Sequence, residues 1–146
     1  KPASEVELQY TTFFVDGLLM GVPIRDVREI DRHLELTTVP HSPDFVRGVI
    51  NLRGDVVTVV DLATILGLSS REMTRQSRNV VIKWEDQYIG LNVDGIADII
   101  SIAPSKITPP PANVDRADVR FYEGVYTTKD EIIVILNIDE IVSSWD

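Results

Sequence analysis

The 146-residue chain has no cysteine. That absence excludes disulfide frameworks, thiolate metal sites and cysteine nucleophiles together, and it fits a reducing cytoplasm. Basic residues are scarce, with 14 Lys and Arg against 23 Asp and Glu and a net charge of −9. Such a surface repels a phosphate backbone, and no basic stripe with interleaved aromatics offsets it, so no nucleic acid is expected as a partner. No apolar run approaches the roughly 20 residues that span a bilayer. No signal-peptide pattern is visible, although the chain begins at Lys1 rather than Met, which leaves open trimming or excision from a longer polypeptide.

Catalytic and ligand-binding signatures are missing as well. There is no G-x-S-x-G elbow, P-loop or dinucleotide fingerprint. His33 and His41 lack the spacing of a zinc site. Asp94-Gly95 lacks the alternating oxygen ligands and closing Glu of a calcium loop, and reads as a turn. Neither metal nor cofactor is expected. Asp26, Glu29, Asp31 and Glu35 lie close together, and paired acids can run glycoside chemistry given a cleft and a controlled separation. Here they are expected to form a solvated face. What is present, 44% hydrophobic and 25% charged residues, suits a soluble globular protein of one ordinary domain or two very small ones.

An internal repeat organises the chain. In FFVDGLLMGVPIRDVREI (13–30), apolar residues run to Val15, Asp16-Gly17 forms a hairpin turn, and Leu18 to Val22 return. Pro23 suits a first helical residue, and Ile24, Val27 and Ile30 then follow at the spacing of one helical face. A strand from Val49 to Leu52, a turn at Arg53-Gly54-Asp55 and a strand from Val56 to Val60 come next. Asp61 caps a short helix carrying Leu62, Ile65 and Leu66. The second half repeats these events. Residues 81–100 superpose on the first segment with Gly90 on Gly21, which sets Ile96 on Val27, Asp98 on Glu29 and Ile99 on Ile30. Residues 121–142 superpose on 45–66 with Gly124 on Gly48, which sets Asn137 on Asp61. The shifts are 69 and 76 residues, so one loop is longer in the second copy.

Each copy is expected to form four or five Val/Ile-rich strands with one or two helical turns, a pattern suited to a small barrel. A single copy would bury a marginal core; two packed together would be stabler and would create a groove where they meet. Residues 69–79 read as a linker, and 104–115 as a proline-rich loop. The Arg53-Gly54-Asp55 tripeptide has three readings: an adhesion signal, a catalytic charge cluster or a hairpin bend. The repeat favours the bend, because the second copy has Lys129, Asp130 and Glu131 there and keeps only the charged character.

The run FVRGVINLRGDVVTVVDL, with VREI at 27–30 and VDGIADI at 93–99, resembles the CheW family of chemotaxis coupling proteins. G-V-x-N-L-R-G followed by a V-D-L strand end is a specific signature, and the resemblance runs from Phe13 to Ile141. It implies an all-β fold with a few short helices: two pseudo-repeated, SH3-like five-stranded barrels, approximately 13–68 and 80–142, intertwined in one CheW-like domain. It implies a cytoplasmic, non-enzymatic scaffold that tethers the histidine kinase CheA, through its homologous regulatory domain, to the cytoplasmic tips of methyl-accepting chemoreceptors. The membrane is reached only through those receptors. Alternatives are a CheW-like domain within a larger signalling protein, carrying a receiver or ending a kinase, and a carboxylate-dependent hydrolase on a small barrel.

The resemblance marks Arg53 and Glu29 as important to receptor coupling. Physically, Arg53 at its turn and Glu29 on its helical turn can pair across the unit, and Lys129 and Asp98 repeat the couple. Such a pair serves structure, binding or both. Val27, Ile96 and Ile99 either fill their own barrels or line the groove between copies, where a receptor helix lays its apolar face. Gly21, Gly48, Gly54, Gly90 and Gly124 are expected to serve turns and close packing. Trp84 and Trp145 carry no assignment. Coupling proteins often carry a basic residue and an aromatic after the second-copy helix, for a second kinase contact that closes array rings. Residues 107–113 have neither, which leaves two alternatives: Arg116 or Phe121 makes the contact, or this chain does not form it.

Overall fold

The computed structural model describes residues 5–110 and 119–145. Ten strands form two five-stranded sheets. The first half supplies β1 (Leu8–Val15), β2 (Leu18–Pro23), β3 (Val27–Asp31), β4 (Val46–Leu52), β5 (Asp55–Asp61) and helix α1 (Leu62–Leu66). The second supplies β6 (Arg78–Trp84), β7 (Gln87–Val93), β8 (Gly95–Ile102), β9 (Tyr122–Thr127), β10 (Ile132–Leu136) and helix α2 (Ile138–Ser143). One sheet runs β8-β1-β2-β10-β9 and the other β3-β6-β7-β5-β4. Replacing every strand by its repeat equivalent turns one order into the other.

Each sheet therefore contains strands from both sequence halves. The crossings are the two parallel pairings: β10 sets Ile135 opposite Gly21 on β2, and β5 sets Val59 opposite Gly90 on β7. These are equivalent residues at equivalent positions. The exchange also explains the core. Its central cluster draws Phe13, Val15, Met20 and Val22 from the first sheet, and Val60, Val80, Ile82 and Leu91 from the second. Helix α1 adds Leu62 and Leu66, and α2 adds Ile138 and Ile141. Each sheet keeps a smaller cluster of its own, around Tyr10, Ile133 and Ile135 in one and around Ile50, Val57 and Val81 in the other. At about 1.5–3 kcal/mol per fully buried large apolar side chain, the seam between sheets holds the largest share of the stabilisation. It is packed core, and clefts of about 240 and 400 Å³ lined by residues of both sheets open at its margins.

Two local readings need correction. The spacing of Ile24, Val27 and Ile30 is not one helical face: only Ile24–Asp26 makes a single 3-10 turn, and Val27–Asp31 is an edge strand paired with β6. Partner strand β6 decides this, because a β-branched sequence at a free sheet edge gains more from a ladder than from an isolated turn. The four acids near residue 30 do not share one solvated face. Glu35 is exposed, but Asp31 is buried and Glu29 half-buried. Asp61 does sit at the cap position of α1. Its carboxylate, however, accepts from Thr64 Oγ1 (2.7 Å) and Ser70 Oγ rather than from a helix N–H, whereas Asn137 accepts from the Glu140 N–H at 3.1 Å.

Buried Asp31 anchors a polar network in the second sheet. Asn79 Nδ2 donates to Asp31 Oδ2 (2.9 Å) and to the His33 carbonyl (3.0 Å), and Asn92 Nδ2 donates to Asn79 Oδ1 (2.8 Å). Burial pushes the Asp31 carboxyl up, but hydrogen bonds from Asn79 and from the His33 ring and backbone outweigh it. They hold the carboxyl below its ordinary value of 3.8. A carboxyl depressed by folding stabilises the fold above its unfolded pKa, and this contribution disappears as pH falls through the lower folded value. Urea midpoints measured across acid pH are expected to drop below that ordinary value in the parent protein and to drop less in Asp31→Asn. Superimposable curves would contradict the assignment.

Candidate interaction site

The β4–β5 hairpin makes its tip from Arg53 (φ 52°) and Gly54 (φ 93°), a two-residue turn in which both residues are left-handed. Leu52 pairs with Asp55, so the third residue of the tripeptide already belongs to β5. Asn51 Oδ1 accepts from the Gly54 N–H at 2.9 Å and fixes the turn. The bend reading of the tripeptide is the one the structure contains.

From this tip Arg53 Nη2 donates to Glu29 Oε1 on β3. The Arg53 side chain is 74% exposed and that of Glu29 29%, so the pair contributes only about 0–1 kcal/mol to folding. Glu29 thus reaches Arg53 from a strand rather than from a helical turn. The couple is not repeated: among the described residues no ion pair joins Lys129 to Asp98. Pair and turn close one end of a groove of about 580 Å³ on the second sheet. Val27, Leu52, Val57 and Val81 form its apolar floor, and Arg25, Arg28, Asp55 and Tyr88 complete the lining. Val27 is half-buried and also packs against the central core.

Ile96 and Ile99 lie elsewhere. Both are on β8, the edge of the first sheet, and both are exposed, Ile99 by 57%. Ile96 lines a separate cleft of about 400 Å³ with Phe14, Gln76 and Arg78. The structure thus joins Val27, Glu29 and Arg53 in one groove and leaves Ile96 and Ile99 outside it.

Gly48 and Gly124 sit where a neighbouring segment crosses the edge of a sheet. A Cβ on Gly48 would lie 2.6 Å from the Thr37 carbonyl oxygen, and one on Gly124 would press on that of Thr108. Gly21 and Gly90 have looser surroundings, with nearest contacts of 3.4 Å. Trp145 stacks near Phe45 (5.3 Å between centroids), and Trp84 packs against the central core. Phe121 is buried in that core. Pro111, Ala112, Asn113 and Arg116 lie outside the described residues.

The sequence reading missed Arg28, Leu52, Val57, Val81 and Tyr88. Alternation along β5 and β6 assigns Val57 and Val81 to a face, but only the curl of the sheet makes that face concave.

With this geometry in view, the comparisons decide the family. A family model for the CheW-like domain matches residues 9–145. The chain belongs to the CheW-like family. Among CheW-like relatives, the chemotaxis protein CheW of Helicobacter pylori is 30% identical over 139 residues, covering 95% of this chain and 84% of the relative. The probable chemotaxis protein CheW of Rhizobium etli is 32% identical over 146 residues, covering 100% and 94%. The crystal structure of the scaffolding protein TtCheW from Thermoanaerobacter tengcongensis matches with a TM-score of 0.83 and 32% identity, covering 94% of this chain and 89% of that one. Two five-stranded sheets with few short helices are therefore the CheW-like arrangement in this chain.

Proposed function

We propose that this CheW-like protein, an adaptor of chemotaxis signalling, joins the regulatory domain of the histidine kinase CheA to the cytoplasmic tip of a methyl-accepting chemoreceptor. The supporting observation is the groove on the second sheet. Buried apolar side chains floor it, charged side chains and Tyr88 supply most of its accessible wall, and its volume of about 580 Å³ admits one side of an amphipathic helix. Glu29 holds Arg53 at the mouth, where the guanidinium meets a partner without further loss of side-chain freedom. The protein acts in the cytoplasm and catalyses no reaction in this reading; of the clustered acids, Glu29 is paired with Arg53 and Asp31 is held by hydrogen bonds from Asn79 and His33. Ile96 and Ile99, exposed on the free β8 edge, provide a second contact surface for the kinase domain. Modest affinity at each surface suffices, because an array multiplies weak contacts.

A pull-down with the kinase regulatory domain and a receptor-tip fragment tests this. The parent protein is expected to retain both, and Arg53→Glu to keep the kinase domain while losing the receptor fragment. Arg53→Ala is expected to weaken receptor retention with a melting temperature close to that of the parent. If the parent retains neither partner, the adaptor reading fails.

A further inference from the structure

We infer that the groove of the second sheet accepts an amphipathic helix bearing an acidic side chain, which Arg28 receives beside the Tyr88 ring, with Lys83 at the margin of the groove adding positive charge. This rests on the groove reading above and adds the charge of its occupant. The decisive feature is a bulge. Strand β3 sets Val27 opposite Ile82 and Glu29 opposite Val81, which makes Arg28 the extra residue. A bulge turns the inserted side chain away from its normal side of the strand. Here it brings the Arg28 guanidinium 5.7 Å from the Tyr88 ring centroid, with Nη2 donating to the Tyr88 hydroxyl at 3.4 Å. Lys83 is the cross-strand partner of Tyr88, and its Nζ lies 5.8 Å from the same centroid.

Two cations thus share one aromatic ring. Among the described residues neither is in an ion pair; Arg28 lines the groove itself, and Lys83 borders a separate cleft containing Asp26, Glu123 and Asp139. In a chain of net charge −9, acids are available to neutralise them, yet both are exposed and without a carboxylate. A carboxylate brought to the ring would neutralise this concentration of positive charge through charge-assisted hydrogen bonds.

The duplication provides an internal control. The positions equivalent to Arg28, Lys83 and Tyr88 in the other sheet are Ala97, Phe14 and Leu19, all apolar. The register shift recurs there too, with Phe13 opposite Ile96 and Thr11 opposite Ile99. The bulge therefore forms without the cations, and folding does not explain them. They distinguish this sheet from its counterpart, and an acidic helix is the occupant that such a difference selects.

Calorimetric titration of the protein with a receptor-tip hairpin fragment, at low and at high salt, tests the inference. The parent is expected to bind more weakly as salt rises. The double variant Arg28→Gln/Lys83→Gln is expected to bind about tenfold more weakly at low salt and to converge with the parent at high salt. Its melting temperature should match that of the parent, since both side chains are exposed. Equal affinity and equal salt dependence in parent and variant would overturn the acidic-occupant proposal while leaving the groove reading intact. No binding by the parent would overturn both.

Discussion

Gly48→Ala is expected to be, with Gly124→Ala, among the most damaging additions of a single methyl group to this protein. The β4–β5 hairpin lies at one edge of the second sheet, and residues 36–37 run across it. Thr37 bridges Val49 through two backbone hydrogen bonds, N–H to Val49 O at 3.0 Å and the reverse at 2.9 Å. That bridge passes directly over Gly48. An added Cβ would meet the Thr37 carbonyl oxygen at 2.6 Å and Leu36 Cβ at 2.9 Å. Both neighbours belong to ordered chain rather than to a flexible side-chain end, so either the bridge lifts or β4 shifts against β5. Overpacking of this kind costs about 3 kcal/mol, which lowers Tm by about 10 °C in a chain of this size. Gly21→Ala, whose Cβ would meet nothing nearer than 3.4 Å, is expected to cost distinctly less. Thermal melts of the two variants beside the parent check the contrast. Equal Tm values for Gly48→Ala and the parent would show that the bridge is not held against the glycine.

The second large effect is expected at Asn79, which is completely buried. Its amide group is fully used: two donations reach Asp31 and the His33 carbonyl, and one acceptance comes from Asn92. Asn79→Ala would leave the Asp31 carboxylate with one donor fewer and the Asn92 amide without its acceptor, in a site where water is excluded. Unsatisfied buried groups cost about 1–3 kcal/mol each, so a loss of about 3 kcal/mol is expected in urea unfolding. Because the removed bond helps hold the Asp31 carboxyl low, the variant is also expected to lose part of the acid dependence of the parent. A variant as stable as the parent would mean that the network contributes nothing net.

The network also marks where the two copies diverge. Positions equivalent to Asp31, Asn79 and Asn92 in the other sheet are Ile100, Tyr10 and Pro23. The repeat preserves strand count and register while the chemistry at matching positions differs completely. The same holds at Arg28 and Ala97. Backbone pairing tolerates such changes because it depends on pattern, whereas recognition depends on the side chains.

Much of this architecture is legible in the chain itself. The Asp16-Gly17 and Arg53-Gly54 turns follow from residues that accept positive φ between β-branched runs. The correspondence of Gly21 with Gly90 and of Gly48 with Gly124 holds in the strand pairings. The 24–30 segment was misread as helix because a period of three in apolar residues suits a short helical turn as well as a bulged edge strand, and only partner β6 separates them. Opposite charges at Arg53 and Glu29 allow their contact, and the family resemblance marks both residues. The missing counterpart at Lys129 and Asp98 is not legible, since no local rule records how far a turn leans toward a neighbouring strand.

By itself the sequence determined a doubled set of β-strands and the positions of its tight turns, because each depends on neighbours a few residues away or on a pattern repeated in the chain. Tertiary structure alone decided which sheet each strand joins, that the seam is filled rather than open, and that Arg28, Lys83 and Tyr88 meet. Those outcomes depend on parallel pairings and a bulge between strands about 30 to 115 residues apart, and separations of that size leave no periodicity to read.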